Sequence, residues 1–270
     1  MPINLPIIIE PEELKQYLHS DTVLILDLSS PTTYVQYHVP GAVFLNYEWI
    51  VRIEQPRMGL LPSEEQLNNV LGSLGLTEDT HVIVYDDEGG GRACRFLWTL
   101  DVLGHKNYSL LNGGLQAWAN HGNEISSKIS YPTPCEYKAE MNFEPVATRQ
   151  YILDHLSDDN VVLFDNRSPA EYNGEKVFAQ RGGHIPGAIN MDWMATMDME
   201  HDKRLKAQSE LREMLENQGI TTDKTIVTYC QAHHRSAHTY IVLKSLGYEK
   251  IKGYPGAWSD WGNEPNTPIE

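Results

Sequence analysis

Cysteine is scarce in this chain: Cys94, Cys135 and Cys230 are the three in 270 residues. They cannot all pair with one another and match no zinc-ligand spacing, so neither a disulfide framework nor a metal site is expected, and a reducing cytoplasm fits best. Lysine and arginine are also few, 21 against 37 aspartates and glutamates, for a net charge of −16. Nucleic acid and anionic membrane surfaces both require a cationic face, so neither is an expected partner. Long apolar runs are missing too, with no stretch near the roughly 20 apolar residues of a membrane span. The opening Met1-Pro2-Ile3-Asn4-Leu5-Pro6-Ile7-Ile8-Ile9-Glu10 lacks a basic start and is broken by proline, unlike a signal peptide.

What remains looks globular, with 41% hydrophobic and 9% aromatic residues over a length that suits one large or two ordinary domains. Short β-branched runs alternate with helical patterns. Ile7–Ile9, Val23–Asp27, Val43–Asn46, His81–Tyr85 and Tyr108–Leu111 read as strands. Pro11–His19, Ser63–Leu74, Arg92–Leu103 and Leu115–His121 read as helices. Alternation with short connections predicts an α/β fold with a mostly parallel central sheet flanked by helices. Residues 124–144 lack periodicity and carry Ser126, Ser127, Pro132 and Pro134. The expected organisation is a domain over 1–124, a linker over 125–143 and a second domain over 144–270.

The second half repeats the first. Asp27-Leu28-Ser29-Ser30-Pro31-Thr32-Thr33-Tyr34 parallels Asp165-Asn166-Arg167-Ser168-Pro169-Ala170-Glu171-Tyr172, and His38-Val39-Pro40-Gly41-Ala42 parallels His184-Ile185-Pro186-Gly187-Ala188. Asn112-Gly113-Gly114-Leu115-Gln116-Ala117-Trp118 matches Pro255-Gly256-Ala257-Trp258-Ser259-Asp260-Trp261, and Asn173 to Gly183 is an insertion in the second half. Three matched segments in one order indicate duplication.

The chemistry concentrates at Cys230-Gln231-Ala232-His233-His234-Arg235-Ser236, between the apolar strand pattern ending at Tyr229 and a helix pattern closed by Gly247. A thiol at a strand end facing a helix N-terminus has its pKa lowered, and successive backbone N–H groups there make an anion cradle. Arg235 adds a permanent charge, to draw in an anion or to hold the turn against a carboxylate, and His233 and His234 act as steering charges or turn-formers. The polar neighbours predict an exposed mouth. Setting Tyr85 against Tyr229 puts Asp86 opposite Cys230 and Arg92 opposite Arg235, with one extra residue in the first-half turn. The first domain is therefore expected to be catalytically silent. Cys94 is expected to be packed, Arg167 and Glu171 to be structural, and Trp193 to be a core aromatic or a pocket wall.

Together the doubled unit, Asp-x-Arg-Ser-Pro-x-Glu-Tyr at Asp165–Tyr172, Gly-His-Ile-Pro-Gly-Ala at Gly183–Ala188 and the single Cys-led turn resemble the tandem-domain rhodanese sulfurtransferases over nearly the whole chain. The turn is similar to that of a bacterial branch reading Cys-Gln-Thr-His-His-Arg-Ser, with Ala232 in place of Thr. It differs from the mammalian Cys-Arg-Lys-Gly-Val-Thr and Cys-Gly-Ser-Gly-Val-Thr turns, and Pro186 stands where those proteins have Arg. The resemblance implies sulfur transfer from thiosulfate, through a Cys230 persulfide, to cyanide or a thiol acceptor, including a protein thiol. It implies no cofactor and no metal; a monomer is the simpler expectation. Transfer from 3-mercaptopyruvate is the alternative within the family. Outside it stand a cysteine-dependent phosphatase or arsenate reductase and a non-catalytic sulfur-binding module. The phosphatase pattern has five residues between Cys and Arg, whereas four separate Cys230 from Arg235.

Overall fold

A computed structural model describes residues 5–270, which leaves Met1 to Asn4 of the N-terminal reading outside the described residues. In chain order the first half forms β1 (Ile8–Ile9), α1 (Pro11–Leu14), β2 (Val23–Asp27), α2 (Pro31–Gln36), β3 (Val43–Phe44), β4 (Arg52–Glu54), β5 (Arg57–Leu60), α3 (Glu64–Ser73), β6 (His81–Tyr85), α4 (Gly91–Val102), β7 (Tyr108–Leu111) and α5 (Gly114–Asn120). The second half forms α6 (Arg149–Asp154), β8 (Val161–Asp165), α7 (Pro169–Tyr172), β9 (Ile189–Asn190), β10 (Met197–Asp198), β11 (Arg204–Leu205), α8 (Gln208–Glu216), β12 (Thr225–Tyr229), α9 (Arg235–Ser245), β13 (Ile251–Gly253) and α10 (Ala257–Trp261). The helix expected over Pro11–His19 is shorter: α1 gives way to a 3-10 turn at Lys15–Tyr17. Among the described residues no helix is long and apolar enough to cross a membrane.

Contacts divide the chain into two units. Among the described residues, unit 1 contains 5–50, 62–142 and 198–205, and unit 2 contains 51–61, 143–197 and 206–270. Unit 1 is built on a parallel sheet in the order β1-β7-β6-β2-β3, with Asp27 beside Tyr85 at the carboxyl ends of its central strands. Unit 2 is built on a parallel sheet in the order β13-β12-β8-β9, with Asp165 beside Tyr229 at the matching place. The central strands β6 and β12 are buried along nearly their whole length, as strands of a parallel sheet flanked by helices are.

Local chemistry explains the element boundaries. Ser30 and Ser168 each sit before a proline, and their hydroxyls accept the N–H of Thr33 and of Glu171, which satisfies a donor that the first helical turn leaves open. Ser63 caps α3 and Thr148 caps α6 in the same way. The core of unit 1 gathers Ile9, Ile25, Ile83, Tyr85, Leu111 and Trp118; that of unit 2 gathers Leu163, Ile185, Val227, Tyr229, Trp258 and Trp261. Each of these large side chains removed from water contributes roughly 1.5–3 kcal/mol. Cys94 is buried within α4, where the packed reading placed it.

Candidate active site

The turn from β12 to α9 lies at the carboxyl ends of the unit 2 strands, where parallel α/β sheets open a crevice. Its shape is set from outside and from within. From α10, the N–H of Trp258 donates to the Cys230 carbonyl (2.9 Å) and that of Ser259 to the Gln231 carbonyl (3.0 Å). Within the turn His233 adopts a left-handed φ of 47°, and its Nδ1 meets the Ser236 hydroxyl at 2.8 Å. With the carbonyls drawn outward, the N–H groups face the sulfur. His234 N–H donates to Cys230 Sγ at 3.3 Å, and the N–H groups of Ala232 and Ser236 and the Ser236 hydroxyl act on the same atom.

Burial pushes the Cys230 thiol up, but the Arg235 charge, followed by the Ser236 and Ala232 donors, outweighs it and brings the thiol down to about 7. A large share of the sulfur is therefore thiolate at neutral pH without a general base. Arg235 is itself gripped by Glu171 in a two-pronged pair of 2.7 and 2.8 Å. Burial pushes the Glu171 carboxyl up, yet the Arg235 bond and charge and the Ser168 donors bring it down to about 2. Beside this pair, Arg167 is bound to Asp165 with both side chains removed from solvent, and it lies over the Trp258 ring at 4.3 Å.

The structure corrects one expectation. The polar neighbours predicted an exposed mouth, but Cys230 and His233 are fully buried, whereas Gln231, His234 and Arg235 are partly exposed. Glu171, expected to be structural, closes the capping box of α7 and is the carboxylate against which Arg235 is held. The structure places the remaining candidates as follows. The Gln231 amide donates to the Phe178 carbonyl of the insertion at 3.3 Å. Half-buried Trp193 lies 6.3 Å from the His234 ring, and 5.2 Å edge-on from His238. His238 was missed in the sequence, where it reads as one more helix position. Burial, with the neighbouring His234 charge, lowers it to about 3 and keeps it neutral. Among the described residues no group of three or more His, Cys, Asp or Glu is arranged to hold a metal ion.

In unit 1 the corresponding turn is filled. Asp86 Oδ1 accepts the N–H groups of Glu88, Gly89 and Gly90 at 2.7–3.1 Å, and Oδ2 accepts those of Arg92 and Ala93 at 2.9 and 3.0 Å. Five backbone donors on one carboxylate demonstrate the anion cradle that this turn makes. The extra residue of the first half lies in the helix: α4 has 12 residues and α9 has 11.

Two α/β units of one plan, one turn holding a thiol whose pKa is brought down and the other occupied by a carboxylate, define a duplicated α/β protein. The rhodanese-like domain pattern matches it twice, at residues 10–121 and 148–264. The chain belongs to the rhodanese family. It is 44% identical to a thiosulfate sulfurtransferase of Azotobacter vinelandii over 267 residues, covering 99% of this chain and 98% of that one. It is 43% identical to a thiosulfate sulfurtransferase of Pseudomonas aeruginosa with the same coverage. The anaerobic ergothioneine biosynthesis enzyme of Chlorobium limicola shares the fold, with a TM-score of 0.88 at 22% identity over 98% of this chain and 70% of that one.

Proposed function

We propose that the protein is a thiosulfate sulfurtransferase that carries sulfane sulfur on Cys230. The observation behind this reading is a buried thiol brought down to about 7 and surrounded by backbone donors. The thiolate attacks the outer sulfur of thiosulfate, the sulfur–sulfur bond of the donor breaks, and sulfite leaves with the electron pair. The same N–H groups receive the terminal negative charge of the persulfide. Cyanide or a thiol then attacks the outer persulfide sulfur, and the Cys230 thiolate leaves and is restored. This is covalent catalysis in two half-reactions, so ping-pong kinetics are expected.

Arg235 is committed to Glu171, which leaves it poorly placed to wrap a tetrahedral oxyanion and weighs against phosphate chemistry. The three free thiols suit a reducing cytoplasm. We take the working form to be a monomer without cofactor. The test is intact-protein mass after thiosulfate treatment and desalting, then after cyanide. Wild type is expected to gain one sulfur that cyanide removes, and Cys230→Ser to gain none. Sulfur gain from 3-mercaptopyruvate alone would move the donor assignment, and no gain from either donor would refute sulfur transfer.

A further inference from the structure

The β4–β5 hairpin, in unit 2, brings a backbone against the active turn. Gly59 in β5 is buried, and a Cβ built on it would lie 2.1 Å from the Ala232 carbonyl oxygen and 2.6 Å from that of Pro255. Gly59 is not among the residues with positive φ, so contact and not backbone conformation requires glycine here. The α-hydrogen in the Cβ direction is aimed at those oxygens, a weak Cα–H···O contact. The hairpin is fastened at this point. Met58 N–H donates to Ser259 Oγ at 3.0 Å, and that hydroxyl donates to the Gly256 carbonyl at 2.8 Å.

Three successive carbonyls of the turn are therefore backed from outside: Cys230 and Gln231 by α10 and Ala232 by Gly59. The next residue, His233, holds the left-handed φ that a non-glycine residue keeps only when its surroundings impose it. We propose that Gly59 is a positioning residue for Cys230: by backing the Ala232 carbonyl it fixes the Ala232–His233 peptide and keeps the turn's N–H groups on the sulfur. The inference deepens the sulfurtransferase reading but concerns the state of the thiol, so it can be tested apart from turnover.

Charge is not part of this device. The groups near the sulfur are His233 in the turn, His234 just before α9, His238 on α9, Arg235 with Glu171, and Asp165 with Arg167 at the end of β8. On the hairpin, Arg52 and Arg57 both pair with Glu54. Gly59→Ala changes none of these.

The experiment follows ultraviolet thiolate absorbance against pH, with the Cys230→Ser protein as background, in wild type and Gly59→Ala, and with denaturant unfolding as a check on the fold. The expected result is a Cys230 midpoint raised by about one unit, which is roughly tenfold less thiolate at pH well below the midpoint. A folded Gly59→Ala protein with the wild-type midpoint would overturn the proposal. Should that variant fail to fold, Ser259→Ala, which removes the hydroxyl that fastens the hairpin, decides the matter: a raised midpoint supports the clamp and an unchanged one overturns it. Wild type that titrates as described yet takes up no sulfur would sink the transfer reading alone.

Discussion

At the level of single residues, the Cys230 thiol and the Glu171 carboxyl both depart from their ordinary values, and Arg235 links them. Burial alone would make Cys230 inert; the Arg235 charge and the turn donors reverse that and give about 7 in place of 9. The thiolate predominates above that value, so the rate of sulfur uptake should climb with pH through about 7 and then level off. Arg235→Ala should move the midpoint up toward the ordinary thiol range, visible in a pH profile of single-turnover persulfide formation. Glu171 works through stability. Its folded value of about 2 lies below its ordinary 4.5. A depressed carboxyl stabilises the folded state fully above pH 4.5, and that contribution is lost as pH falls through 2. Glu171→Gln should cost roughly 2–3 kcal/mol at pH 7 and flatten the acid limb of a stability–pH curve measured by urea unfolding. The sequence showed the thiol and its arginine, but not this pairing: Glu171 and Arg235 are 64 residues apart, and no local pattern connects them.

At the level of elements, the legible features were those with a period or a repeat: the β-branched strands, the longer helices and the duplication itself. The β4–β5 hairpin escaped because Arg52-Ile53-Glu54 and Arg57-Met58-Gly59-Leu60 show little hydrophobic periodicity. Its role comes from the absence of a side chain at Gly59, which carries no pattern. The start of the last helix in each unit shows how one plan was kept with different residues. Ala257 and Gly114 occupy matching places, and both have left-handed φ, 50° and 57°. Only at Gly114 is space also short, since a Cβ there would lie 2.4 Å from the Asp86 carbonyl oxygen. Ala257→Gly should relieve strain and leave stability unchanged or raise it by up to about 1 kcal/mol. Gly114→Ala should destabilise by about 2 kcal/mol or more, from strain added to overlap. Chemical denaturation of both variants gives the comparison; similar effects would mean that the two helix starts are not built alike.

For the molecule as a whole, the net charge of −16 is a property of the chain that a dianionic donor must meet. Arg235 is matched by Glu171 and Arg167 by Asp165, so the cations beside the sulfur carry little excess charge outward. The approach of thiosulfate should thus be opposed by the general acidic field, which salt screens over about 10 Å at 0.1 M. We expect kcat/KM for thiosulfate to rise with ionic strength; a fall would reveal a local cationic field that dominates. Duplication and fold class could be read along the whole chain, because matched segments recur in order. That the thiol is buried could not, because solvent exclusion depends on segments distant in sequence. The filled turn of unit 1 adds a point about the cost of turnover. It shows this type of turn at rest around a buried carboxyl group, with five backbone donors already converged on it. A turn of that kind around Cys230 would not have to rearrange when a thiolate becomes a persulfide anion. The reorganisation energy that water would demand for moving that charge was spent when the chain folded, and it does not recur with each sulfur transferred.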